Sequence, residues 1–220
     1  MNACPVRHDS LKILARAELG PYLHLTLEWP DDRPAPAPGQ HLRLAGGDTL
    51  WPMLDCRSGR LEALASRIPA TSPDEHATIE GSPLELPPGD AIILAQGLGL
   101  APLIHLCELW RASPPGRLLA LYEPPAPAPF RPRPSRFLVE RMPPGVIAAI
   151  PLLEDWGIPS RLASVDGLPG AFEGGADELL AALPLAEQTT TFVFGDAHFL
   201  ARVNAGQQKG RLMRPVLSEA

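Results

Sequence analysis

Ala91-Ile92-Ile93-Leu94-Ala95-Gln96-Gly97-Leu98-Gly99-Leu100-Ala101-Pro102 is the stretch that decides the fold. Its first five residues form a continuous apolar run, suited to a strand buried on both faces of a parallel sheet. A glycine turn follows, and residues 101–111 then carry a helical pattern. Pro102 falls in the first helical turn, where its missing N–H costs nothing. A second apolar run, Leu118-Leu119-Ala120-Leu121-Tyr122, completes a strand–helix–strand unit. Glycines in such a turn let backbone N–H groups approach a phosphate, and the helix N-terminus adds a partial positive charge. A tight turn with no ligand uses the same two glycines, so this motif alone leaves both readings open.

Downstream, residues 146–151 read as a third strand, 176–183 as a helix and 191–194 as a late buried strand. Residues 124–134 hold six prolines in eleven positions and read as an extended surface segment. Upstream the style differs. Residues 11–19, 22–29, 41–45, 50–55, 61–66 and 76–80 read as short strands, separated by turn chemistry such as Gly20-Pro21 and Gly46-Gly47-Asp48. In Tyr22-Leu23-His24-Leu25-Thr26-Leu27-Glu28-Trp29 polar and apolar residues alternate, as a half-buried antiparallel strand requires. Short strands at this spacing predict a small barrel or sandwich. Pro87-Pro88-Gly89-Asp90 marks the change, giving a β domain over 1–88 and an α/β domain over 89–220.

Nineteen basic against 25 acidic residues give a net charge of −6, with no basic run. That excludes a nucleic-acid binder and a polybasic membrane-surface protein. The longest apolar stretch, 91–106, is interrupted by Gln96, Gly97, Gly99, Pro102 and His105 and predicts no membrane span. Residues 1–9 lack the apolar core of a signal peptide, so a cytoplasmic protein is expected. Cys4, Cys56 and Cys107 are too widely spaced for a zinc or iron–sulfur motif and form no even-numbered disulfide framework. No metal site is expected, and the thiols are expected reduced.

Glu123 ends the second strand, roughly where strand–helix–strand nucleotide sites place an acid on the ribose hydroxyls. On that reading it favours NAD over NADP; the other reading is a solvated strand-end carboxylate. His105 and His198 stand alone and read as structural. Arg131, Arg133, Arg136 and Arg141 read as a solvated face, with a phosphate contact as the alternative. No GxSxG elbow, paired carboxylates or His-x-x-x-His pattern stands out.

Domain order and a series of motifs resemble the ferredoxin–NADP reductase superfamily, most closely the electron-transfer subunit of dihydroorotate dehydrogenase. Pro38-Gly39-Gln40-His41-Leu42 resembles its "PGQ-x-hydrophobic" strand, and Glu80-Gly81-Ser82-Pro83-Leu84 its "GP-x-G" turn. Residues 94–103 resemble "AGGTGIAPL", Leu121-Tyr122 "LLYG", and Leu153-Glu154-Asp155-Trp156-Gly157 the "DDGS" loop. Residues 170–180 resemble "GF-x-G-x-x-TDLL", and 192–197 stand where the family has "VYVCGPP".

The resemblance implies a six-stranded antiparallel β-barrel for flavin, followed by a Rossmann-like parallel-sheet domain for pyridine nucleotide. It implies an NAD(P)H-dependent flavin oxidoreductase that passes electrons through FAD to a redox partner protein or catalytic subunit. Its nucleotide-binding positions are Gly97, Leu98, Gly99, Pro102, Glu123, Asp155, Gly195 and Asp196; its flavin strand is Trp51-Pro52-Met53-Leu54. The family carries Arg-x-Tyr-Ser on that strand: the arginine for the pyrophosphate, the ring for the flavin and the hydroxyl for its N5 edge. All three are replaced here. Leu98 replaces the loop threonine, and Phe194 and Asp196 replace the cysteine and proline of "CGP". On the first reading Trp51 turns onto the flavin, and Arg57, Arg60 or Arg67 supplies the missing phosphate partner. The alternative is a descendant of the fold without FAD, acting as a scaffold or regulatory subunit with NAD(H) or with none. A methyltransferase-like domain also uses a glycine turn after a strand but leaves the leading β domain unexplained.

Overall fold

The computed structural model describes residues 11–44, 46–66, 77–184, 186, 188–205 and 213–216. Six strands form the N-terminal sheet: β1 (Ile13–Leu19), β2 (Tyr22–Glu28), β3 (His41–Leu44), β4 (Thr49–Pro52), β5 (Arg60–Ala65) and β6 (Ala77–Glu80). They pair antiparallel in the order β1-β2-β5-β4-β3-β6. The alternation read from the sequence sets which face is inside. Leu25, Leu27, Leu42, Leu50, Leu61 and Ala63 fill the interior of this barrel. The opposite face carries a row of residues in register: Glu80 beside His41, and Trp51 and His24 on either side of Leu64. That face meets the second domain.

The second domain contains β7 (Ala91–Gln96), α1 (Leu100–Ala112), β8 (Leu118–Glu123), β9 (Arg133–Pro134), β10 (Ala148–Ala149), α2 (Pro151–Trp156), β11 (Ser160–Ser164), β12 (Phe172–Glu173), α3 (Ala176–Ala182), β13 (Thr190–Phe194), α4 (Ala197–Ala205) and β14 (Met213–Val216). Six of the strands form a parallel sheet in the order β12-β11-β8-β7-β13-β14. β7 and β8 are almost wholly buried, as their unbroken apolar runs require.

Two expectations are corrected. Residues 146–151 are not a third parallel strand: only Ala148–Ala149 pairs as a strand, antiparallel with Arg133–Pro134, and Pro151 opens α2. Proline at a first helical turn is preorganised for a helix. The third parallel strand is β11, Ser-Arg-Leu-Ala-Ser, fully buried but too polar to read as a core strand. The segment 124–134 is more than a surface segment, because Pro124 and Pro129 are buried. Pro129 lies against the β1–β2 turn so closely that a Cβ on Gly20 would sit 2.8 Å from its Cα. Parts of the strands expected at 41–45 and 76–80, namely Ala45 and His76, lie outside the described residues, as does the N-terminal stretch 1–9.

The domains share one core. Trp51, Met53 and Leu64 of the barrel pack in the same cluster as Ala101, Ile104 and Cys107 of α1. Among the described residues no helix is long and apolar enough to cross a membrane.

Candidate functional site

β7 is flanked by β8 on one side and β13 on the other, so the chain reverses its direction of winding at β7. Open α/β sheets bind ligands in the crevice beyond the carboxyl ends of the strands at such a switch point. A cleft of about 230 Å³ lies there. Gln96, Gly97, Leu98, Gly99 and Pro102 line it from the turn and α1, and Phe194, Gly195 and Asp196 from the end of β13. The barrel supplies the remaining wall with Tyr22, Trp51 and Ser66.

The turn is held by packing as well as by sequence. Tyr122 Oη donates to the Gly97 carbonyl at 2.9 Å, and Gly97 takes a φ of +60°. A Cβ on Gly99 would lie 2.6 Å from the Phe194 carbonyl oxygen, so only glycine lets β13 pass this close. A Cβ on Gly195 would lie 2.4 Å from the Phe199 ring. Asp196 Oδ1 accepts the Phe199 N–H at 2.7 Å and so caps α4. Among the described residues no side chain caps the α1 N-terminus, which begins at the cleft.

Of the residues expected in the nucleotide site, Gly97, Leu98, Gly99, Pro102, Gly195 and Asp196 converge on the cleft, whereas Glu123 and Asp155 do not line it. Asp155 is paired with the Arg133 guanidinium on α2's exposed face. Glu123 is buried, neither solvated nor open. Its Oε1 accepts Gln96 Nε2 at 2.7 Å, and its Oε2 accepts the Ala176 N–H at 2.9 Å. Arg202 approaches both oxygens, at 3.3 and 3.1 Å. Glu123 therefore ties β7, β8, α3 and α4 together, and it orients the Gln96 amide at the rim of the cleft. Of the basic stretch, Arg133 pairs with Asp155 and Arg136 with the Glu154 carbonyl. His105 is buried and faces Asp55 at 3.0 Å; His198 is exposed on α4.

Sequence reasoning missed Tyr22, Ser66 and Arg202. Tyr22 opens the alternating strand β2 on the same face as His24, so the alternation itself carried the signal. On that face the Trp51 and His41 rings lie 4.9 Å apart. Trp51 Nε1 and His41 Nδ1 are both buried without a hydrogen-bond partner among the described residues. Burial is also the main reason that His41 is held below the ordinary histidine range.

FAD, which this fold implies, has its expected contacts at residues 51–54. Trp51 is 5% exposed and Met53 9%, and both are packed into the core with α1. Pro52 is buried and Leu54 half-buried, and none of the four supplies a cation or a hydroxyl. These residues do not fit the flavin in the family's manner. Of the proposed substitutes for the phosphate partner, Arg57 is bound to the buried Glu108, Arg60 is exposed, and Arg67 lies outside the described residues. Among the described residues no group of three His, Cys, Asp or Glu side chains is placed to hold a metal.

No protein-family model matches the chain, and no curated protein matches it. Solved structures do. The FAD/NAD-binding domain of nitric oxide dioxygenase from Vibrio cholerae superposes with a TM-score of 0.60 at 12% identity, covering 93% of this chain and 97% of that one. Ferredoxin-NADP+ reductase from Plasmodium falciparum gives 0.59 at 11% identity, covering 95% of each chain. The ferredoxin reductase of carbazole 1,9a-dioxygenase gives 0.66 at 15% identity, covering 94% of this chain and 68% of that one. The chain therefore has the ferredoxin–NADP reductase-like fold, a β-barrel followed by a Rossmann-like domain. The finer likeness to the dihydroorotate dehydrogenase subunit rests on sequence motifs alone.

Proposed function

We propose that this chain keeps the nucleotide-side cleft of the fold without FAD as a resident cofactor. It acts as a nicotinamide-nucleotide-binding subunit in an electron-transfer system, beside a partner protein that holds the redox centre. One observation carries the reading. Trp51 and Met53 seal the flavin strand against α1, while the cleft at the β7–β13 switch point stays open beside the barrel residues Tyr22 and Trp51. A planar nicotinamide ring suits aromatic walls. Its carboxamide has both a donor and an acceptor, and Gln96 and Ser66 at the cleft offer complementary groups. The structural neighbours described as FAD/NAD-binding domains and ferredoxin reductases support an electron-transfer setting.

A second reading is favoured by Tyr22, an aromatic ring on the barrel wall that the motif comparison did not supply. With that ring against flavin, the chain is a flavin-dependent NAD(P)H oxidoreductase holding FAD by a different constellation. The visible spectrum of the purified protein, followed by titration with FAD and NADH, separates the two. A colourless protein that binds NADH and stays colourless after incubation with FAD supports the first. Stoichiometric flavin absorbance retained through purification overturns it.

A further inference from the structure

Glu123 holds the position at which strand–helix–strand nucleotide sites bind the adenosine ribose hydroxyls. Here that carboxylate is already occupied on both oxygens. Gln96 Nε2, the Ala176 N–H and the Arg202 guanidinium all lie within 3.3 Å, and the residue is only 8% exposed. The notch around it is closed as well. A Cβ on Gly175 would lie 2.5 Å from Asp177 Oδ1, 2.8 Å from Arg202 Nη1 and 3.3 Å from Glu123 Oε2. Arg202 also pairs with Asp177 at 3.2 Å, bracing the same corner. A ribose entering here would have to break a charge-assisted pair, strip the acceptor from the start of α3 and release Gln96 from its orientation. Hydrogen bonds to charged groups are among the costlier ones to break.

The open cleft is correspondingly small. Its volume of about 230 Å³ is below the roughly 300–1,000 Å³ of pockets for drug-sized ligands. It is above the ~150 Å³ cavity that admits benzene. The enclosed space therefore holds the nicotinamide end, and the adenosine half of a dinucleotide would extend beyond it, toward the corner that Glu123 and Arg202 close.

Building on the nicotinamide-nucleotide reading above, we infer that the ligand is recognised at mononucleotide length. The nicotinamide ring and its own ribose phosphate make the contacts, and the adenosine half of a dinucleotide gains none. Glu123 acts on the ligand only through the Gln96 amide it orients.

Isothermal titration of the intact chain with three probes tests this: reduced nicotinamide mononucleotide, NADH and ADP-ribose. The expected result is that the mononucleotide and NADH bind with affinities within about threefold of each other, and that ADP-ribose does not bind. NADH binding more than about tenfold tighter than the mononucleotide, or ADP-ribose binding by itself, would overturn the inference while leaving the nucleotide reading intact. Binding of none of the three overturns both.

Discussion

The buried Glu108 carboxylate on α1 accepts the backbone N–H of Asp55 at 2.8 Å, bonding the helix that follows the glycine turn to the loop leaving β4. Its other oxygen takes the Arg57 guanidinium, and one turn earlier His105 faces Asp55 at 3.0 Å. This clamp joins the two domains beside the apolar core they share, in which Trp51 packs with α1. Glu108→Ala removes the acceptor from a partly buried N–H and from the arginine. It is expected to cost about 1–3 kcal/mol in urea unfolding, with Glu108→Gln losing less because it retains a carbonyl. A loss indistinguishable from zero for Glu108→Ala would show that the clamp contributes nothing.

Gly99 and Gly47 need to be glycine for different reasons, and alanine scanning should separate them. Gly99 has an ordinary helical backbone (φ −56°), so its constraint is contact: a Cβ would meet the Phe194 carbonyl at 2.6 Å. Gly99→Ala is expected to destabilise by about 1–3 kcal/mol through overpacking and to weaken nucleotide binding by moving β13 at the cleft wall. Gly47 has open space around it but a φ of +86°. Gly47→Ala then costs about 1–2 kcal/mol in backbone strain, partly offset in the unfolded chain, and leaves ligand titrations unchanged. Similar effects of both on binding would contradict this division.

The architecture was legible because its two sheets announce themselves with different periods. The 91–95 run demands burial on both faces, while 22–29 alternates, and both became the strands expected. β11 was not legible: Ser160, Arg161 and Ser164 are buried there, with Ser160 Oγ accepting the Ile150 N–H and Arg161 reaching the Phe137 carbonyl. Tertiary hydrogen bonds of this kind leave no local pattern. The glycine half of the cleft could be read from one contiguous motif. The barrel half was legible only in pieces, Trp51 from the flavin-strand motif and the face of Tyr22 from the alternation of β2, because their meeting with Ser66 exists only once β2, β4 and β5 are in register. Glu123 shows the limit most clearly, for its sequence position matches a ribose acid and its surroundings assign the carboxylate to α3 and Arg202.

Restoring the family's flavin residues should cost stability. Trp51 is 5% exposed in the core shared with α1, so Trp51→Arg places a guanidinium among the apolar side chains of that core. Breaking or misplacing a buried charge typically costs on the order of 3–5 kcal/mol, and the expected outcome is a strongly lowered urea midpoint with no gain in FAD affinity. Trp51→Phe keeps an aromatic wall and should remain folded. A stable Trp51→Arg protein that acquires FAD would show that this strand can still open to a flavin.

Because the Glu123 carboxylate is committed internally, its removal is expected to act on the fold and not on coenzyme choice. Glu123→Ala strands the Ala176 N–H, the Gln96 amide and one side of Arg202, for a loss of about 2–3 kcal/mol. The ratio of NADH to NADPH affinity should stay unchanged, as measured by parallel titrations. A shift of that ratio toward NADPH would return Glu123 to the role of a ribose-reading acid.

His41, whose ring lies tilted 4.9 Å from that of Trp51, makes stability depend on pH. His41 is 7% exposed, and burial holds its pKa below 6.5, outweighing the Glu80 carboxylate 3.4 Å from Nε2; Arg43 pushes in the same direction as burial. As pH falls past 6.5, the unfolded chain therefore takes up a proton that the folded one resists. A group of this kind lowers stability from its unfolded pKa downward, until the folded pKa is passed and the loss levels off. Urea midpoints measured between about pH 7.5 and about pH 5.5 should fall more steeply for the wild-type chain than for His41→Gln, which cannot titrate. Other titrating groups act on both proteins alike, so the difference between the two slopes isolates His41. Equal slopes would mean that His41 protonates in the folded barrel as readily as in water.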